Sequence, residues 1–317
     1  MKKVLVTTKL LKSNEERISQ LWDAKLNLNN EIYSENKLIE LSKDCDGILS
    51  SIVDKIDKKT INKLSDKVKI ISNFAVGFGN IDIEAASKRN IVVTNTPDVL
   101  TDATAEIAML LILGACRRAV EGMQWARNKN WRWSADFLIG KQLSGSKLGI
   151  LGMGRIGRAV AKRAKAFGME IHYHNRSKLN QDLEAGATYH DNIQSLFSTS
   201  DILSINCLVT KETKKIINKK TLKFFSKEAI IINSARGDMI DDDAMVEALK
   251  DKRIFALGLD VYNGEPNIHP GYLEHNNVFI LPHLGSATKK TRIDMADLAI
   301  NNVEEFFKSG KCINKVN

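Results

Sequence analysis

Three side chains lie where they could handle a carbonyl and a proton. Arg236 stands in Asn–Ser–Ala–Arg–Gly–Asp, Glu265 in Gly–Glu–Pro and His283 in Leu–Pro–His–Leu–Gly. Each follows an apolar, β-rich run, and Ala229–Asn233, Phe255–Leu259 and Val278–Leu281 are the predicted strands. An arginine can hold a carboxylate and polarise a carbonyl. A histidine can give a proton to the alkoxide that forms on reduction, and a carboxylate can keep that histidine charged. Each residue also has a plainer reading. Arg236 could be a loop cation, Glu265 a turn residue before Pro266, and His283 a helix-entry residue. Spacing leaves both readings open.

A glycine-rich turn supplies a partner chemistry. Gly152, Gly154 and Gly157 form G-x-G-x-x-G, with Met153, Arg155 and Ile156 between them. A predicted strand, Lys147–Leu151, precedes the turn; a helix, Arg155–Phe167, and a strand, Glu170–Tyr173, follow. That order is the dinucleotide-binding unit. Gly152 allows the tight turn, Gly154 lets the backbone approach a pyrophosphate, and Gly157 lets the helix pack on the strand. The helix N-terminus offers N–H groups and a positive dipole end to the phosphates. After the second strand the chain reads Tyr173–His174–Asn175–Arg176–Ser177, without an acid. A carboxylate there would repel a ribose 2′-phosphate, whereas Arg176, Asn175 and Ser177 would receive one. NADP(H) is therefore the expected cofactor, with NAD(H) possible.

The elements that must position these residues alternate along the chain. Val4–Thr8, Gly47–Ser51, Lys69–Asn73, Ile91–Thr94 and Ile202–Ile205 are further predicted strands. Glu15–Trp22, Asp82–Lys88, Gln194–Phe197, Lys219–Phe224, Asp241–Lys250 and Thr288–Phe307 are predicted helices. This rhythm gives an α/β fold of doubly wound parallel sheets. Thr101–Arg127 reads as one long helix, apolar nearly all round between Ala103 and Ala119.

The 317 residues suffice for two domains, and only 4 prolines argue for close packing rather than a flexible tether. The net charge is +9, but the lysines are scattered and no basic stripe is interleaved with aromatics, so no nucleic-acid partner is expected. The 4 cysteines, Cys45, Cys116, Cys207 and Cys312, form no CxxC pair and no metal-ligand spacing; free buried thiols and no metal are expected. The apolar run in MKKVLVTTKL is too short for a signal peptide. The longest apolar stretch, Ile107–Cys116, is about half a membrane span, so the expectation is a cytoplasmic protein with no membrane partner.

Several segments together resemble the D-isomer-specific 2-hydroxyacid dehydrogenase family. They are Val76–Gly–Phe–Gly–Asn–Ile–Asp82, Thr101–Asp–Ala–Thr–Ala–Glu106, the glycine turn, Asn206–Cys207, Ser234–Ala–Arg–Gly237, Gly258–Leu–Asp–Val261, Glu265–Pro266 and Pro282–His–Leu–Gly–Ser–Ala–Thr288. The resemblance implies a flavodoxin-like substrate domain, residues 1–99 plus 287–317, and a Rossmann nucleotide-binding domain, residues 100–286, with the site in the cleft between them. It implies that Arg236 binds the substrate carboxylate and polarises its C2 carbonyl. His283 is then the proton donor in reduction, and Glu265 raises its pKa by stabilising the imidazolium. Val76 and Gly77 cradle the substrate carboxylate through their backbone. Asp260 contacts the nicotinamide carboxamide, Thr104 lies near that ring, and Cys207, Ala235 and Gly285 complete the cofactor contacts. A homodimer using the Thr101–Arg127 helix is implied too. Glu265 argues against the formate-oxidising branch. Asn175–Arg176–Ser177 and Trp131–Arg–Trp133 resemble glyoxylate/hydroxypyruvate reductases most, Trp133 serving either substrate contact or a loop anchor. One departure is Leu208, where the family usually has proline after Asn206–Cys207. D-lactate or phosphoglycerate-type dehydrogenases using NAD, and a non-catalytic corepressor-like scaffold, are the alternatives.

Overall fold

A strand covered by helices on both faces must be apolar on both. That condition selects the strands of two separate sheets in the computed structural model, which describes residues 1–129 and 131–317. The chain divides into two units, Met1–Leu100 with Ala287–Asn317, and Thr101–Ser286.

The first unit holds β1 (Lys3–Val6), β2 (Asp23–Lys25), β3 (Gly47–Ser50), β4 (Ile70–Asn73) and β5 (Val92–Thr94). All pair in parallel, in the order β2-β1-β3-β4-β5. Every residue of β3 and β4 is buried. The C-terminal helix Lys289–Ser309 returns to this unit and packs on β3 and β4.

The second unit holds β6 (Lys147–Leu151), β7 (Glu170–His174), β8 (Thr188–Tyr189), β9 (Ile202–Ile205), β10 (Ile230–Asn233), β11 (Ala256–Leu259) and β12 (Val278–Ile280). The order is β12-β11-β10-β9-β6-β7-β8, again all parallel. Both sheets are therefore doubly wound. In the second, the order reverses at β6, and the crevice beyond the carboxyl ends of strands at such a reversal is where ligands bind in this architecture. The short edge strands β2 and β8 were not legible as strands, because two or three residues carry no period.

The Thr101–Arg127 segment corrects the expectation of one helix. Thr101–Cys116 is helical and mostly buried, and packs on β10, β11 and β12. The chain then breaks: Arg118 takes a left-handed φ of 52° before a second helix, Ala119–Asn128. The cause lies in the distant segment of Gly140 and Lys141. Lys141 N–H donates to the Cys116 carbonyl at 2.8 Å, the acceptor that Val120 would use in a continuous helix. Gly140 abuts the same carbonyl so closely that a Cβ there would lie 2.3 Å from it. The second helix has no buried residue. Lys219–Phe224 likewise becomes a short 3₁₀ turn, Thr221–Phe224. Of the four free thiols only Cys45 and Cys116 are buried; Cys207 and Cys312 are partly exposed, which corrects the expectation that all are enclosed. Among the described residues, no helix is long and apolar enough to cross a membrane.

Gly258 sets how closely the Thr101–Cys116 helix approaches β11. A Cβ there would lie 2.7 Å from Ile232 Cδ1 and 3.2 Å from Leu111 Cβ and carbonyl oxygen. Gly258→Ala should therefore destabilise the protein by about 1–3 kcal/mol through overpacking. Urea denaturation measures this; an unchanged midpoint would show that the helix has room to move.

Candidate active site

Arg236, Glu265 and His283 follow β10, β11 and β12, three adjacent parallel strands, so all three emerge at one edge of the second sheet. Local backbone contacts then aim them. Asn233, the last residue of β10, accepts from Ala235 N–H at 3.0 Å and donates to the Arg236 carbonyl at 2.8 Å. Gly237 lets this loop press against the next one, since a Cβ there would lie 2.0 Å from the Tyr262 carbonyl carbon. Arg236 is partly buried, and its one hydrogen bond among the described residues is Nη1 to the Ala235 carbonyl at 2.6 Å. Burial pushes its pKa below the ordinary value, opposed by the nearby Glu265 and Asp238 carboxylates. An arginine stays charged through such a shift. It is a cation with spare donors.

The β11 and β12 loops are tied together. Asp260 is buried, and its two carboxylate oxygens accept from Leu284 N–H at 2.6 Å and Gly285 N–H at 2.8 Å. Burial raises its pKa, against the lowering effect of those amides and of His283. Tyr262 Oη donates to the Leu281 carbonyl at 2.6 Å. Thr104 Oγ1 donates to the Gly285 carbonyl at 3.0 Å. Glu265 Oε1 accepts from Tyr262 N–H at 2.9 Å, and its Oε2 lies 2.6 Å from His283 Nδ1. Burial works to raise the Glu265 pKa, but His283, the Tyr262 amide and Arg236 outweigh it and the pKa falls. His283 itself sits in the left-handed region at φ 56°. A non-glycine residue there costs about 1–2 kcal/mol, held here by contacts on both sides of it. His283 Nε2 has no partner among the described residues.

The glycine turn follows β6, where the order reverses. Gly152 has φ 96°, and a Cβ there would lie 2.6 Å from Cys207 N. Gly157 packs against the Gly152 carbonyl, 2.3 Å from a notional Cβ. Above Gly154 there is open space, since a Cβ would meet nothing within 4 Å among the described residues. The helix Arg155–Ala166 starts without a side-chain cap. Met153 faces inward instead: its side chain is in the core, and its N–H donates to Asn175 Oδ1 at 2.7 Å. Asn175 thus fixes the turn with its oxygen and keeps its amino group as a donor. Ile156 packs on the core, while Arg155, Arg176 and Ser177 are exposed. Val76 and Gly77 lie in the first unit, past β4.

Comparison with known proteins places this arrangement. The profile described as D-isomer specific 2-hydroxyacid dehydrogenase, NAD binding domain, matches residues 109–285. The chain belongs to that family. This dehydrogenase is 39% identical to a glycerate dehydrogenase of Hyphomicrobium methylovorum, covering 96% of each chain. It is 40% identical to a glyoxylate reductase of Thermococcus litoralis, covering 99% of this chain and 96% of that one. Among solved structures, it superposes on an NADPH-dependent glyoxylate/hydroxypyruvate reductase of Sinorhizobium meliloti, in complex with NADP and malonate. The TM-score is 0.89 at 32% identity, covering 99% of this chain and 96% of that one. The dehydrogenase is an NAD(P)-dependent oxidoreductase.

Its residues fit such a cofactor. The open backbone above Gly154 and the uncapped helix start suit a pyrophosphate. Beyond β9 and β10, buried Asn206 Oδ1 and Ser234 Oγ have no partner among the described residues, which leaves both able to pair with a bound group. Ser234, Asn233, Gly237 and Tyr262 escaped sequence reasoning as individual residues. Asn233 carried a signal, as a polar residue closing an otherwise apolar strand.

The depressed Glu265 pKa has a consequence for stability. A carboxylate with a folded pKa below its ordinary 4.5 contributes stability that survives mild acid and is lost as pH falls further. The stability difference between the native chain and Glu265→Gln should be retained down to about pH 4.5 and shrink below it. Urea titrations at stepped pH test this; a difference that grew on acidification would reverse the sign.

Proposed function

We propose that this enzyme reduces a small 2-keto acid of the glyoxylate or hydroxypyruvate type to the D-2-hydroxy acid, with NADPH preferred and NADH possible. The observation that carries the reading is the Glu265–His283 hydrogen bond at 2.6 Å, with His283 Nε2 unpartnered among the described residues, near the partly buried, under-bonded Arg236. The names of the relatives support the same substrate class.

When bound, the dinucleotide supplies the hydride that reaches C2 of the keto acid. Arg236 directs its spare N–H donors at the carboxylate and the C2 carbonyl oxygen, stabilising the charge that develops there. His283 donates the Nε2 proton to that oxygen. Glu265 holds the Nδ1 side, which fixes the ring with Nε2 toward the reacting oxygen. Asp260 and Thr104 keep the His283 loop in place, and Asp260, Cys207, Ala235 and Gly285 remain proposed cofactor contacts. Val76 and Gly77 are proposed to take the carboxylate through their amides.

The NADPH preference rests on the end of β7, where Arg176 is exposed and Asn175 keeps an amino donor. The segment Met1–Leu100 with Ala287–Asn317 is proposed as the substrate domain, and Thr101–Ser286 as the nucleotide domain. A homodimer is proposed through the Thr101–Arg127 segment, whose second helix, Ala119–Asn128, has no buried residue.

His283→Ala should lower turnover roughly 10²–10⁴-fold, the usual contribution of a general acid, with the cofactor KM nearly unchanged. Near-normal turnover would remove His283 from this role. Arg176→Glu should turn the preference from NADPH to NADH, read as the ratio of kcat/KM for the two. A wild-type enzyme already favouring NADH would overturn the cofactor reading.

A further inference from the structure

Backbone orientation around Val76 is set by three donors from the ends of β4 and β5. Thr96 N–H donates to the Ala75 carbonyl at 2.9 Å. Asn95 Nδ2 donates to the Val76 carbonyl at 2.8 Å, and Asn73 Nδ2 to the Gly77 carbonyl at 2.9 Å. In a trans peptide, the N–H of one residue points opposite to the carbonyl of the residue before it. Each of the Val76, Gly77 and Phe78 N–H groups is therefore turned away from the donor that holds the carbonyl before it. None of the three donates to an acceptor among the described residues. All three residues are partly exposed, so the unpaired donors lie in a region solvent reaches.

The two asparagines are themselves fixed. Asn73 is fully buried and Asn95 nearly so. Ser50 Oγ donates to Asn73 Oδ1 at 3.1 Å. Asn73 Nδ2 also reaches Asn80 Oδ1 at 3.2 Å, while Asn80 Nδ2 holds the Ser51 and Asp54 carbonyls at 3.0 and 3.1 Å. The Asn95 carbonyl accepts from Asn302 Nδ2 at 3.0 Å, which ties it to the C-terminal helix. A side-chain amide suits the task, since it donates to a buried carbonyl without placing a charge there. A run of backbone N–H groups turned to one side is an anion-binding concavity.

We propose that Asn73 and Asn95 are positioning residues for the substrate carboxylate. They hold the Val76 and Gly77 carbonyls while Thr96 N–H holds that of Ala75, and so present the Val76, Gly77 and Phe78 N–H groups, with Phe78 as a third donor. The inference rests on the 2-keto acid reading above. It adds that substrate affinity depends on two buried amides that need not touch the substrate.

The test compares the native enzyme with Asn95→Leu, which keeps the size and removes the donor, and with Asn95→Asp, which sets a carboxylate against the Val76 carbonyl. Steady-state kinetics with glyoxylate and NADPH are combined with calorimetric titration of oxalate, with and without NADPH. In Asn95→Leu, the glyoxylate KM and the oxalate Kd should both rise roughly tenfold, the loss expected when a charge-assisted hydrogen bond is misaligned. The NADPH KM should stay nearly constant, and the preference for glyoxylate over an uncharged 2-oxo aldehyde should fall. Asn95→Asp should show the same split, and carries the test if Asn95→Leu does not fold. Unchanged glyoxylate KM and oxalate Kd in a folded variant would overturn the proposal. So would a parallel rise in the NADPH KM, which would mean general loosening. If the native enzyme reduces no 2-keto acid yet binds oxalate, and Asn95→Leu weakens that binding, the functional reading fails and the cradle stands. If keto acids are reduced and oxalate binding is unaffected by the substitution, the cradle fails and the functional reading stands.

Discussion

The grip of Asp260 on the turn after β12 is the contact on which the rest of the candidate site depends. A buried carboxylate is costly unless its oxygens are satisfied. Here each oxygen takes one backbone amide, Leu284 N–H and Gly285 N–H, and the turn can take only the shape that serves both. Held this way, and by Tyr262 and Thr104 at its flanking carbonyls, the chain carries His283 through a left-handed φ that an imidazole would not choose. That conformation brings Nδ1 to Glu265 and leaves Nε2 unpaired among the described residues.

Asparagine recurs as the device that fixes the loops past strand ends. Asn233 closes the Arg236 loop, Asn175 caps the glycine turn through Met153, and Asn73 and Asn95 hold the segment around Val76. Strand ends in a parallel sheet leave carbonyls and amides without ladder partners, and these must be satisfied before the loop can be rigid. A short neutral amide offers both a donor and an acceptor at the right reach. It also adds no charge to the loop. Asp260 is the exception, and it stands where two amides, not a carbonyl, need a partner.

Glycine makes the complementary contribution. Gly237 allows the Arg236 loop to touch the loop carrying Glu265, and Gly152 allows the turn to touch Cys207. The exposed Leu208, in the place where the family usually has proline, follows Cys207 directly.

The sequence by itself determined the class of fold, because burial on both faces of a parallel strand writes an apolar run, and Gly152, Gly154 and Gly157 mark a turn whose backbone demands their type. It also marked Arg236, Glu265 and His283, since rare, chemically capable residues at the ends of apolar runs stand out. Only the tertiary structure decided the break after Cys116, because its cause is Gly140 and Lys141, which no local period reports. It alone decided that both oxygens of Asp260 serve the His283 turn, and that the Asn175 oxygen serves the glycine turn. It likewise disclosed Asn73 and Asn95, polar residues at the close of β4 and just past β5 that could equally have faced water. The reason is common to all of these. Residue type and period record which side of an element is buried, whereas the partner of a polar group is set by whichever distant backbone the fold brings against it.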